Sequence, residues 1–166
     1  LKSDYMINAQ VLVDLLIRAL WIELEAESNT LWSEFLYASD ELREVANVLR
    51  RDSSQHEKAV RRILRSARKT PPSYIEERLK SFGSIPPITS DKSDFRIIDK
   101  AINLEKSARD VYKMIVEIDE EAVKYAFEIP VEEFRSTIAW LVEEEEKHIK
   151  MLEKLKFKCS NVSRGS

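Results

Sequence analysis

A chain of 166 residues with a formal net charge of −3 is long enough for one domain with a substantial core, and its nearly balanced charge argues against a nucleic-acid partner. Two glycines, against an abundance of Leu, Ile, Ala, Glu, Lys and Arg, disfavour sheet and favour long helices. A single cysteine, Cys159, excludes an intrachain disulfide and any four-cysteine metal site and fits a reducing, cytoplasmic setting, while Asp14, Arg18 and Glu23 interrupt the apolar stretch Val11 to Leu24 and exclude a membrane span there.

Leu12, Leu16, Ala19, Ala26 and Tyr37 recur at helical steps and predict a first helix from about Asn8 to Ala38. Ser39 followed by Asp40 and Glu41 reads as an N-cap with acids in the first turn. Leu42, Ala46, Leu49, Ala59 and Ile63 carry that second helix to about Lys69. From Thr70 to Ser93, Pro71, Pro72, Gly83, Pro86 and Pro87 break helices and leave room for one short helix around Ser73 to Ser81, so this stretch reads as a long crossover. Ile98, Ala101, Ala108 and Ile115 predict a third long helix from about Asp94 to Ile118. A short piece capped by Asp119 follows, ending before Pro130. Pro130 favours a fresh start, and Phe134, Ile138, Leu141, Leu152 and Leu155 trace a fourth helix to about Phe157. The expectation is an all-α four-helix bundle spanning residues 1–166 as one domain, built as two helical hairpins joined by the crossover. No signal peptide is visible. The start at Leu1 is expected to be a trimmed end, and Ser163 to Ser166 vector-derived.

Polar residues interrupt the apolar stripes at corresponding depths: Glu23 in the first long helix, His56 in the second, Glu105 in the third, Glu145 and His148 in the fourth. Carboxylates are rarely buried uncompensated, because dehydrating a charge costs several kcal/mol, and a cation would compensate. Three carboxylates and two imidazoles suit iron, manganese or zinc. Glu145 and His148, three apart, project to the same side of their helix. The two halves also superpose in sequence: Ala19-Leu20-Trp21-Ile22-Glu23-Leu24-Glu25-Ala26 aligns with Ala101-Ile102-Asn103-Leu104-Glu105-Lys106-Ser107-Ala108.

This pattern resembles the rubrerythrin branch of the ferritin-like family, whose half-motif is a glutamate, a tyrosine seven residues later, and Glu-x-x-His on the next helix. The resemblance runs from about Leu12 to Leu155 and is complete in the second half, at Glu105, Tyr112, Glu145 and His148. The first half departs from it: Thr30 stands at the tyrosine place and Ser53 at the glutamate place before His56. The resemblance implies a carboxylate-bridged dinuclear iron centre that reduces peroxide or oxidises ferrous iron, with Glu23, His56, Glu105, Glu145 and His148 as ligands and Tyr112 beside them as a hydrogen-bonding or redox-active phenol. It also implies that Ser53 weakens or deletes one metal position, with Asp52, by a small helix rotation, as the alternative filler. The chain holds no four-cysteine electron-transfer module, so an external electron donor is expected, as is a homodimer.

The competing reading is a degenerate ferritin-like protein holding one metal or none, acting as a binding, structural or iron-storage-associated helical protein. The basic residues of the second helix, among them Arg61, Arg62, Arg65 and Lys69, read as a solvated face without a nucleic-acid motif. Trp21, Trp32, Trp140, Phe35 and Tyr125 read as core or dimer-interface aromatics. Cys159 has no His partner nearby in sequence and is not expected to act as a catalytic thiol.

Overall fold

Short polar side chains set three of the helix starts and prolines two more in the computed structural model, which describes residues 2–28, 39–85 and 93–162. Helix α1 spans Lys2–Glu27. The Ser39 hydroxyl accepts from the Leu42 amide and opens α2, Asp40–Arg65. Pro72 opens α3, Pro72–Phe82, where its missing N–H costs nothing. The Ser93 hydroxyl accepts from the Arg96 amide to start α4, Asp94–Val116, and the Asp119 carboxylate accepts from Ala122 to start α5, Glu120–Ala126. Helix α6, Val131–Val162, follows Pro130, whose carbonyl accepts from the Phe134 amide. Gly83 ends α3 at φ 71°, a left-handed conformation that favours glycine.

Four of these helices, α1, α2, α4 and α6, form the bundle as two hairpins: α1 pairs with α2, α4 pairs with α6, and α1 also packs on α4. Helix α1 is the central element, because it touches α2, α3, α4 and α5. Leu12, Val13, Leu16, Ile17, Ala19 and Leu20 are accordingly all buried, well beyond a single stripe. Among the described residues, no helix is long and apolar enough to cross a membrane.

The crossover returns along α1. Tyr74 donates to Asp14 Oδ1 at 2.9 Å, Trp21 Nε1 donates to the Gly83 carbonyl at 2.8 Å, and the Trp21 and Phe82 rings lie 5.3 Å apart. Just past the ends of α2 and α5 two backbone segments pair through an antiparallel bridge between Ala67 and Phe127. Arg68 N–H donates to the Ala126 carbonyl and Glu128 N–H to Ser66.

Several boundaries differ from expectation. Helix α1 begins before Asn8, and Ser28 already lies outside it; residues 29–38, including Thr30, Trp32, Phe35 and Tyr37, lie outside the described residues. Helix α2 stops at Arg65 rather than Lys69, because residues 66–68 turn out to make the bridge to Phe127. Val60, not the half-buried Ala59, carries its apolar face. Helix α4 ends at Val116, two residues short of Ile118, and α6 runs past Phe157 to Val162.

Candidate metal centre

Each of the four long helices carries an apolar face that includes a buried polar residue. Glu23 of α1, His56 of α2, Glu105 of α4, and Glu145 and His148 of α6 are each no more than 3% exposed. The structure brings all five together. His148 Nδ1 lies 2.9 Å from Glu105 Oε2, His56 Nδ1 lies 3.4 Å from Glu23 Oε1, and the two imidazole rings stack with centroids 5.5 Å apart.

Glu145 sits between them, with Oε1 2.9 Å from His56 Nδ1 and Oε2 3.6 Å from His148 Nδ1. Two compact donor groups result, Glu23–His56–Glu145 and Glu105–Glu145–His148, sharing one carboxylate. Ser53, one turn before His56, is buried where the second half of the sequence carries Glu145.

Tyr112 is fully buried, and its phenol crosses from α4 to donate to Glu23 Oε1 at 2.7 Å. It thus serves the glutamate of the opposite half, not Glu105 seven residues before it. Burial, then the charge of Glu23, holds this phenol well above its usual pKa, so it stays a neutral donor.

Asp52 does not replace the missing glutamate of the first half. Its Oδ2 lies 3.3 Å from His148 Nε2, on the ring edge opposite Nδ1, where a carboxylate fixes the imidazole's orientation. Glu144 lies in the same group with Asp52 and His148. Sequence spacing could flag Asp52, one turn from His56, but not the partner it meets on another helix. Trp140 is no core residue either. It is 37% exposed, and its ring stands perpendicular to that of His56 with centroids 5.2 Å apart.

Protons hold this charge together in the chain alone. Burial would lower the His56 and His148 imidazoles, but the adjacent carboxylates outweigh it and raise them to about 10 and about 11. Burial, then the neighbouring Glu145 charge, pushes the Glu105 carboxyl up to about 8.

The donor set fits a metal ion. His56 Nε2 is buried without a hydrogen-bond partner among the described residues, which ordinarily costs about 1–3 kcal/mol, and His56 Nδ1 and Glu145 Oε1 face each other at 2.9 Å without a well-aligned hydrogen bond. Carboxylate oxygens and imidazole nitrogens are the donors that iron, manganese and zinc share.

No protein-family model and no curated protein matches the chain. Among solved structures, it is similar to the X-ray structure of the Desulfovibrio desulfuricans bacterioferritin, with a TM-score of 0.58 over 95% of this chain and 84% of that one. The chain has a ferritin-like fold. At 14% identity the likeness establishes the architecture alone; that bacterioferritin is described with a diiron site in different catalytic states.

Proposed function

We propose that this chain is a carboxylate-bridged dinuclear metal protein of the rubrerythrin type, holding iron and acting in peroxide reduction or ferrous iron oxidation. The observation that carries the reading is Glu145, whose two oxygens face two different buried imidazoles. Glu105 and His148 would hold one ion, Glu23 and His56 the other, and Glu145 would serve both. A bound iron pair supplies one-electron steps and open positions for oxygen or peroxide.

The chain's own residues do the rest. Burial of all five donors keeps bulk water from them, Asp52 orients His148, and Tyr112 keeps a neutral O–H on Glu23. Electrons would come from a donor other than these 166 residues, whose single cysteine offers no thiolate cluster. Homodimerisation belongs to the same proposal, with Met6, Ile7 and Val11 leaving apolar side chains exposed on α1. Light scattering that finds only monomer removes that part.

Elemental analysis after anaerobic reconstitution with ferrous iron tests the centre, with two equivalents per chain expected. Glu145→Ala is expected to lose metal uptake while its circular dichroism stays helical. Uptake that survives the substitution would refute the ligand assignment, and no uptake by the unaltered chain would leave a structural helical protein. Peroxide consumption with a supplied donor, set against oxygen-dependent ferrous oxidation, then divides the two activities.

A further inference from the structure

We infer that the two metal positions are unequal: Glu105–Glu145–His148, anchored by Asp52, holds a resident ion, whereas Glu23–His56–Glu145, beside Ser53, takes a divalent cation that exchanges with solution. This rests on the dinuclear reading above and goes beyond it by assigning different behaviour to each half.

Three separate features of the chain favour the same side. Both ring nitrogens of His148 are engaged, Nδ1 with Glu105 at 2.9 Å and Nε2 with Asp52 at 3.3 Å, so its orientation is set before any ion arrives. His56 Nδ1 faces the Glu145 and Glu23 carboxylates at 2.9 and 3.4 Å, but its Nε2 is buried with no hydrogen-bond partner among the described residues, so it lacks the outer carboxylate that Asp52 gives His148. Loss of such an orienting partner typically weakens a metal site 10- to 100-fold.

The glutamates differ as well. Glu23 Oε1, the oxygen nearest His56, already accepts the Tyr112 phenol at 2.7 Å, which withdraws electron density from it; Glu105 Oε2 faces His148 with no phenol upon it. The matching tyrosine place of the first half holds Thr30, so the sequence offers no equivalent phenol for Glu105. Finally, the buried hydroxyl of Ser53 stands where a second bridging carboxylate would contribute a full negative charge. One bridge remains, and it belongs to the helix that carries His148.

Calorimetric titration of the metal-free chain with cobalt(II) tests this directly. Two binding steps are expected, separated by at least about tenfold in affinity, and a limited chelator challenge should leave one equivalent bound. Asp52→Asn should weaken the tight step about 10- to 100-fold and spare the other. Ser53→Glu, which restores the second bridging carboxylate, should strengthen the weak step more than the tight one, bringing the two together. Two indistinguishable steps, loss of both ions together to chelator, or a gap between the steps that Ser53→Glu fails to narrow would overturn the inference while leaving a dinuclear centre standing. Absence of any cobalt binding would instead remove the reading on which it rests. The chelator challenge uses the unaltered chain, so the outcome does not depend on either variant folding.

Discussion

His56, His148 and Glu105 each keep a proton more tightly in the folded chain than in water, with pKa values near 10, 11 and 8. A group whose pKa is raised by folding stabilises the fold fully below its unfolded value, and that contribution is lost as pH climbs to the folded value. For Glu105 the loss spans the window from about 4.5 to about 8, and for the imidazoles from about 6.5 to about 10 or 11. The metal-free chain is therefore expected to melt at progressively lower temperature between pH 6 and pH 9, measured by circular dichroism. Metal binding runs the other way. Ligands must shed these protons, so uptake should acidify a weakly buffered solution and apparent affinity should rise over the same range. Affinity that is flat with pH would mean the donors named here do not hold the ion. The five ligating candidates were legible in sequence because a charged residue in an apolar helical stripe is anomalous wherever its helix packs. Asp52 was not, because spacing along α2 says which face a side chain takes and nothing about which imidazole of another helix it meets.

Helix starts proved the most readable elements, since a cap is a local interaction between residues three apart. Ser39 and Asp119 cap α2 and α5 as their sequence positions imply. Ser39→Ala is expected to cost about 1 kcal/mol, read as a lower urea midpoint with an unchanged slope. Helix ends were less legible. The end of α2 is decided by Phe127, some sixty positions along, whose backbone bridges Ala67 while its ring is buried against Phe134 with centroids 6.0 Å apart. On α1 the stripe of Leu12, Leu16, Ala19 and Ala26 is buried as expected, and Val13, Ile17 and Leu20 are buried beside it because α1 packs on α2, α3, α4 and α5 rather than on one partner. Its central side chains should therefore be costly to shorten. Leu16→Ala is expected to lose about 2–5 kcal/mol in urea unfolding; a loss under 1 kcal/mol would contradict the central placement of α1.

Across the whole molecule, the two hairpins meet along α1 and α4 through apolar packing but along α2 and α6 through a shorter contact, and the site lies where all four helices converge. An ion held by Glu23 and His56 of one hairpin and Glu145 of the other links them directly, and the link exists only in the folded chain. Binding that is confined to the folded state stabilises it by mass action, about 2.7 kcal/mol at a free metal concentration one hundred times the dissociation constant. For a chain of this size each kcal/mol moves the melting temperature by about 2–4 °C. Saturating ferrous or manganous ion is therefore expected to raise it by about 5–11 °C, as followed by differential scanning calorimetry under argon. The same addition should do little to Glu145→Ala, because that substitution removes the carboxylate common to both donor groups. Asp52→Asn should retain part of the shift, since it leaves every direct donor in place and disturbs only the orientation of His148. A full shift in the Glu145 variant would place the stabilising ion at surface carboxylates rather than between the hairpins, and the bundle would then owe its stability to apolar packing alone.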